Sequence, residues 1–101
     1  MMILITGMAK LHAEHRDSAL AAAAEMSTHS LTEHGCIDYR FWISSTDPNS
    51  FLLFELWRDR AALDAHLAAP QLSEFAAVLG GALDGGFDLT RYEIASAGPL
   101  R

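Results

Sequence analysis

Several residue types that would mark particular functions are scarce in this 101-residue chain. A single cysteine, Cys36, excludes an intrachain disulfide and a metal site built from several cysteines. Seven Lys and Arg against 13 Asp and Glu give a formal net charge of −6, which opposes binding to nucleic acid or to an anionic membrane surface. No apolar run approaches the roughly 20 residues that span a bilayer, and the start lacks the basic segment of a signal peptide. We therefore expect a cytoplasmic protein with one globular domain over residues 1–101.

Alanine is missing from the middle of the chain, where none of the 17 lies between Glu25 and Arg60. This central block is rich in aromatic and β-branched residues, which favour strands, whereas the alanine-rich blocks on either side favour helices. Asp59 is placed to cap one helix and Pro70 suits the first turn of another. The pattern predicts strands at 2–10, 36–44, 51–58 and 87–95, and helices at 12–33, at 60–69 and from Pro70 to a stop at Gly80 and Gly81. The order βαββαβ predicts an α+β, ferredoxin-like fold, with a four-stranded antiparallel sheet and helices on one face.

Amphipathic patterning predicts which faces are covered. In the long helix, Leu20, Ala24, Ser27 and Leu31 fall on one stripe of a 3.6-residue period and are expected to face the sheet. The third strand is apolar on both faces, because one row holds Leu52, Phe54 and Leu56 and the other holds Phe51, Leu53, Glu55 and Trp57. We expect the first row to lie under the helices and the second row to lie on the opposite face of the sheet, which no helix covers. Monomers seldom expose so large an apolar surface, so we expect a homodimer packed sheet to sheet; the alternative is that the second row lies partly under loops.

A set of residues spread over nearly the whole chain forms a recognisable pattern: Glu33, Gly35, Cys36, Tyr39, Asp47, Pro48, Glu55, Trp57, Ala61 to His66, and Arg91 to Glu93. The most specific stretch of the pattern is Phe51 to His66. With these residues the chain resembles the antibiotic biosynthesis monooxygenase family, whose members are dimeric α+β barrel proteins that include quinol and anthrone monooxygenases.

This resemblance implies oxygenation of an electron-rich aromatic by molecular oxygen, with no flavin, haem or metal cofactor. The deprotonated substrate then supplies the electron to oxygen, and the protein supplies a dry pocket, a base and an anion stabiliser. One departure concerns a second histidine that such proteins often carry soon after the first. Here Pro70 is followed by Gln71 and Leu72, so His66 stands alone.

Four residues are the candidates for the site. His66 has an ordinary pKa that suits a general base near neutral pH, although a structural histidine bonded to a backbone carbonyl is the alternative. Glu55 lies on an apolar strand and needs a partner such as Arg40, Arg91 or an arginine across the dimer; it is either a catalytic carboxylate or half of an ion pair. Trp57 can stack on a flat aromatic substrate or simply fill the core. Arg40 can stabilise a phenolate or remain an exposed strand residue.

The sequence leaves competing functions open. The first is the cofactor-independent monooxygenase, with His66 and Glu55 catalytic and with Trp57 and Arg40 binding substrate. The second is a non-catalytic dimeric α+β barrel protein that binds a small aromatic ligand. Haem binding, which related barrels perform, needs an axial histidine after Pro70, and residues 71–83 contain none. His12 and His15 have no third ligand nearby, so we expect no metal site there.

Overall fold

One antiparallel sheet covered by helices on a single face makes up the protein. The computed structural model describes all 101 residues. The strands are β1 (Met2–Lys10), β2 (Cys36–Ile43), β3 (Ser50–Trp57) and β4 (Asp88–Ile94); the helices are α1 (Arg16–Ser30), α2 (Arg60–Leu67) and α3 (Pro70–Ala82). The strand order is β2-β3-β1-β4, and every neighbouring pair is antiparallel. The α+β, ferredoxin-like fold expected from the sequence is confirmed. No helix is both long and apolar enough to cross a bilayer.

The starts of α2 and α3 are those that the sequence predicts. Asp59 is the N-cap of α2, and its carboxylate accepts a hydrogen bond of 2.9 Å from the backbone N–H of Ala62. That bond holds the pKa of the Asp59 carboxyl below its usual range. Pro70 occupies the first turn of α3, where its missing N–H leaves no helical hydrogen bond unmade.

The helix bounds differ from the prediction at three places, one of which is the end of α2, expected at residue 69 and found at Leu67. The helix expected over 12–33 is a 3₁₀ turn, Ala13–His15, followed by α1 from Arg16 to Ser30. The glycine pair expected to stop α3 lies inside that helix, which continues to Ala82. Leu79 and Ala82 on either side of the pair are buried. Packing of the last turn therefore outweighs the low helix propensity of two glycines.

The buried stripe of α1 is displaced by one residue from the predicted one. Ala19, Ala23, Met26 and Ser30 face the sheet, and Leu31 is exposed. The run of alanines from 21 to 24 is nearly uniform around the helix, so its periodicity gives little information about orientation. Small residues on the buried stripe let α1 approach the sheet closely.

The covered face of β3 is also opposite to the prediction. Phe51, Leu53, Glu55 and Trp57 lie under the helices and are buried, and the other row is only half-buried on the open face. The prediction placed the wholly apolar row inside because Glu55 is charged. The prediction was wrong because the helix side supplies polar partners for that carboxylate, as described below.

The open face of the sheet carries a continuous apolar surface. Trp42, Leu52 and Met8 are aligned across β2, β3 and β1, and Leu56 and Leu4 are aligned with Tyr92 of β4. Trp42, Met8 and Tyr92 are 54%, 64% and 49% exposed. The two-sided apolarity that the sequence predicted is therefore present, although the rows are exchanged.

Candidate active site

A cluster of aromatic and ionisable side chains lies between α2 and the sheet. His66 of α2 is buried against Trp57 of β3 and Tyr39 of β2, and all three are at most 1% exposed. The centroid of the His66 ring lies 4.6 Å from that of Trp57 and 5.4 Å from that of Tyr39. The imidazole therefore sits in a dry, largely aromatic environment.

Two carboxylates flank the His66 ring. Nδ1 of His66 lies 2.9 Å from Oε1 of Glu33, which is hydrogen-bond distance. Nε2 lies 3.8 Å from Oε1 of Glu55, which is too long for a hydrogen bond. The indole Nε1–H of Trp57 donates to that same Glu55 oxygen at 2.9 Å. Because an ionised carboxylate only accepts hydrogen bonds, Glu33 requires a proton on Nδ1.

Local structure explains how these side chains meet. The two-residue period of a strand places Glu55 and Trp57 on one face of β3, and Tyr39 is the cross-strand partner of Glu55. Glu33 belongs to the turn between α1 and β2, which Gly35 closes with a positive φ of 81°. The backbone N–H of Arg58 donates to the carbonyl of Gly35 at 2.8 Å, which ties this turn to the end of β3.

Burial governs the electrostatics of the cluster. Desolvation raises the pKa of Glu55, and the Trp57 hydrogen bond and the charge of His66 oppose that rise. Desolvation also raises the pKa of the Tyr39 phenol well above its usual range, with a further contribution from the negative charge of Glu55. The same combination of burial and nearby carboxylates raises the pKa of the Cys36 thiol to about 11, which makes it a poor nucleophile.

One polar atom close to the cluster lacks a partner. Ser30 is fully buried, and its Oγ makes no hydrogen bond. The Ser30 hydroxyl lowers the pKa of the Tyr39 phenol and so opposes the rise that burial produces.

The structure brings together three of the four residues predicted for the site. His66, Glu55 and Trp57 are in one cluster, but Arg40 is not. Arg40 lies on the open face of the sheet, where its Nε contacts Asp38 at 2.8 Å and its side chain is 58% exposed. Within the chain Glu55 pairs with neither Arg40 nor Arg91, because Trp57 and His66 lie at its carboxylate and Arg91 contacts Glu93.

Sequence reasoning missed Glu33 and Tyr39 as parts of the site. Both are among the residues that carry the family resemblance, and that was the only available signal. Glu33 is 33 positions from His66, so no local spacing connects the two. Tyr39 is an ordinary strand residue in the sequence, and only the cross-strand register with Glu55 places it beside the imidazole.

Several clefts adjoin the helices, and two of them bear on the site. One, between α1 and α3, has a volume of about 300 Å³; apolar side chains, among them Met26 and Phe75, share its lining with Glu25, His29 and Glu74. The other, beside α2, has a volume of about 360 Å³ and is lined by Glu33, His34, Arg58, Asp59 and three alanines of α2. No group of three or more His, Cys, Asp or Glu side chains is arranged to hold a metal ion.

Comparison with known proteins gives three informative matches. A protein described as uncharacterized, from Synechocystis sp. (strain ATCC 27184 / PCC 6803 / Kazusa), is 40% identical over 72% of this chain, but the match spans only half of that relative's length. "Putative monooxygenase YcnE" from Bacillus subtilis (strain 168) is 28% identical over 93% of this chain and 99% of its own. The crystal structure of a protein described as a putative antibiotic biosynthesis monooxygenase, from Deinococcus radiodurans, is 23% identical in sequence; the match covers 98% of both chains with a TM-score of 0.90.

A family model gives the assignment. The model described as antibiotic biosynthesis monooxygenase matches residues 2–78, which include β1 to β3, α2 and every member of the His66 cluster. The fold of the Deinococcus radiodurans protein agrees with that match over nearly the full chain. This chain belongs to the antibiotic biosynthesis monooxygenase family.

Proposed function

We propose that the protein is a cofactor-independent monooxygenase that oxidises an electron-rich aromatic, of the quinol, anthrone or polyketide type, with molecular oxygen. The observation that carries this proposal is the His66 imidazole, enclosed in an aromatic core with Nδ1 bonded to Glu33 and Nε2 free of any hydrogen bond. A histidine oriented by a carboxylate on one nitrogen presents the other as a general base. Membership of the family supports the reaction type.

The reaction begins with removal of a proton from the substrate by His66. The resulting phenolate or enolate is a strong enough reductant to pass an electron to oxygen. For an anthrone, the methylene carbon becomes a carbonyl, one oxygen atom enters the product and the other leaves as water, so no external reductant is needed. The protein contributes the base, the carboxylate that stabilises the imidazolium, and the exclusion of water.

We propose the cleft between α1 and α3 as the route of the substrate. Its apolar floor includes Phe75, whose ring packs 5.6 Å from Phe41, and Phe41 in turn packs 5.9 Å from Tyr39. This row of aromatic rings connects the cleft to the His66 cluster. Side-chain rotation of Phe75 and Phe41 would open the path, since aromatic substrates replace such contacts with similar ones.

A second function is supported by the complete burial of the cluster. Trp57 is 0% exposed and bonded to Glu55, and His66 is 1% exposed and bonded to Glu33. These are also the properties of side chains that stabilise a core. In that case the protein binds a small aromatic ligand without transforming it.

Oxygen uptake separates the two functions. Purified protein is mixed with dithranol and with simple quinols, and oxygen consumption and quinone formation are recorded against a protein-free control. If the protein is a monooxygenase, one molecule of quinone should form for each molecule of oxygen consumed, and the initial rate should be proportional to the protein concentration. Saturable quenching of tryptophan fluorescence without oxygen uptake supports the binding protein instead.

We also propose that the protein is a homodimer, with the open sheet faces packed against each other. The support is the apolar surface centred on Trp42, Met8 and Tyr92, because a face of this kind is rarely left in water. A two-fold axis would place the same residues on both sides of the interface. Location in the cytoplasm likewise remains a prediction.

A further inference from the structure

Glu33 contacts the His66 ring at Nδ1, the nitrogen opposite the one proposed as the general base. Its carboxylate is the only hydrogen-bond partner of the His66 ring. The backbone on both sides is fixed, since its N–H donates to the carbonyl of Ser30 at 2.9 Å and its carbonyl accepts from Cys36 at 3.2 Å. The carboxylate is therefore held at a defined point relative to the ring, although it comes from a turn and not from α2.

The contact determines the state of the imidazole. A carboxylate on Nδ1 keeps a proton there and leaves the lone pair on Nε2. Free imidazole side chains prefer the opposite neutral form, with the proton on Nε2. Only the form imposed by Glu33 can accept a substrate proton at Nε2.

Other ionisable groups around the ring do not perform this task. Glu55 lies 3.8 Å from Nε2, and its Oε1 already accepts the indole N–H of Trp57. Tyr39 meets the ring edge to face, and its phenol is held neutral by burial. His29 lies 3.9 Å from the Glu33 carboxylate, beyond hydrogen-bond distance, so it does not compete for that oxygen.

Glu33 also differs from its neighbours in exposure. Its side chain is 17% exposed, compared with 1% for His66 and 8% for Glu55. It lines the cleft beside α2, whose wall includes the small side chains of Ala61, Ala62 and Ala65. A small carboxylate from solution can therefore reach the position of the Glu33 carboxylate if that side chain is truncated.

We propose that Glu33 is the positioning residue of the site: it fixes the His66 tautomer that leaves Nε2 free and stabilises the imidazolium after proton uptake. The proton balance is simple. One proton moves from a substrate O–H or activated C–H to Nε2, the Nδ1 proton remains on the ring, and the positive charge faces the Glu33 carboxylate. The catalytic part of this inference rests on the proposed function, whereas the tautomer does not.

The first test is the tautomer itself, read from ¹⁵N shifts of the labelled His66 ring at a pH where the ring is neutral. Wild type is expected to carry its proton on Nδ1. In Glu33→Gln, which keeps the shape but can donate to Nδ1, that proton is expected to shift wholly or partly to Nε2. Glu14→Gln, an exposed acid ahead of α1, is the matched control and should leave the spectrum unchanged. A wild-type ring protonated on Nε2, or a Glu33→Gln ring that keeps the Nδ1 proton, would overturn the inference.

The second test is kinetic and uses dithranol. Glu33→Gln should lower kcat by roughly 10-fold or more with little change in KM, since loss of the group that orients a catalytic imidazole costs up to about 10⁴-fold. Sodium formate should restore part of the activity of Glu33→Ala but not that of Glu33→Gln, in which the side chain still fills the site. Unchanged kcat in Glu33→Gln, or an absence of formate rescue in folded Glu33→Ala, contradicts the catalytic role. If wild type consumes no oxygen, the proposed function fails while the tautomer result still decides the positioning role.

Discussion

At the scale of single residues, the most unusual feature is a carboxylate in the core. Glu55 is 6% exposed and lies among Trp57, Tyr39 and His66. An isolated buried charge would cost several kcal/mol, so the carboxyl either shares hydrogen bonds or takes up a proton. Both effects apply to Glu55, because Trp57 donates a hydrogen bond to its carboxylate and burial raises its pKa.

This burial predicts a pH dependence of stability. Folded Glu55 keeps its proton above the unfolded value of 4.5, so between the two pKa values the folded state binds more protons than the unfolded state. The contribution of Glu55 to stability is therefore complete below pH 4.5 and is lost as pH rises through the folded pKa. The free energy of unfolding in urea, measured from pH 4.5 to 8, should decline less steeply in Glu55→Gln than in wild type.

Glu14→Gln serves as the control for that series, since it removes an exposed charge. Asp47 and Asp59 have pKa values below the ordinary aspartate value of 3.8. Their stabilising effect is lost only as pH falls below 3.8 and through the folded pKa, which is outside the range measured. Identical pH slopes for wild type and Glu55→Gln would show that this carboxyl does not titrate differently in the folded state.

At the scale of elements, the turn between α1 and β2 positions the site. Gly35 has a φ of 81°, and a Cβ built there would lie 2.5 Å from the Cβ of Ala62 in α2. The turn and α2 thus approach closely only because one of the two residues has no side chain. This contact sets the distance between Glu33 on the turn and His66 on the helix.

Gly35→Ala should therefore destabilise the protein more than the same change at Gly85. Gly85 also has a positive φ, 97°, but a Cβ there would meet nothing within 4 Å. Both changes incur the strain of a left-handed residue, about 1–2 kcal/mol, and Gly35→Ala adds overpacking of typically about 1–3 kcal/mol. Chemical denaturation of both variants measures the difference. Equal losses of stability would show that the turn can move away from α2 without penalty.

The sequence predicts where the helices and strands lie more reliably than it predicts which face of each is buried. The Asp59 cap, Pro70 and the alanine-free central block are local signals, and the helices and strands they predict are present. The covered row of β3 was assigned wrongly because hydrophobicity alone ranks Leu52, Phe54 and Leu56 above a row that contains Glu55. Partners for that acid come from distant segments, which no local pattern reveals. The same holds for Glu33 in the site.

At the scale of the whole molecule, the sheet separates two different surfaces. The helix side holds the His66 cluster in a closed core, and the open side presents Trp42, Met8 and Tyr92 to solvent. Arg40 lies on that open side, so any role it has in binding belongs to the region between two sheets and not to the His66 cluster.

The proposed dimer predicts a selective effect of charge on the open face. Sedimentation equilibrium at low micromolar concentration should give twice the 11.0 kDa chain mass for wild type. Trp42→Asp should yield a folded monomer or unfold, because a charge would enter a desolvated interface. Leu67→Asp, at a 57% exposed apolar position on α2, is the matched control and should remain dimeric. Leu53→Asp would not test the interface, because Leu53 is buried under the helices and a charge there would disrupt the core.

A monomeric wild type at that concentration would contradict the proposed dimer. So would a Trp42→Asp variant that stays folded and dimeric, since Trp42 lies on the exposed face aligned with Leu52 and Met8.

Steady-state oxygen uptake with dithranol in His66→Asn shows whether His66 is the general base of an oxygenation. Asparagine can keep a donor toward Glu33 but has no equivalent of Nε2, whereas His66→Ala would also open a cavity at one of the largest fully buried side chains. Turnover should fall by roughly 10²–10⁴-fold in a His66→Asn variant that retains its circular dichroism spectrum, whereas the control His12→Asn, at an exposed position, should keep the wild-type rate. A folded His66→Asn protein that turns over dithranol as fast as wild type would contradict that role of His66.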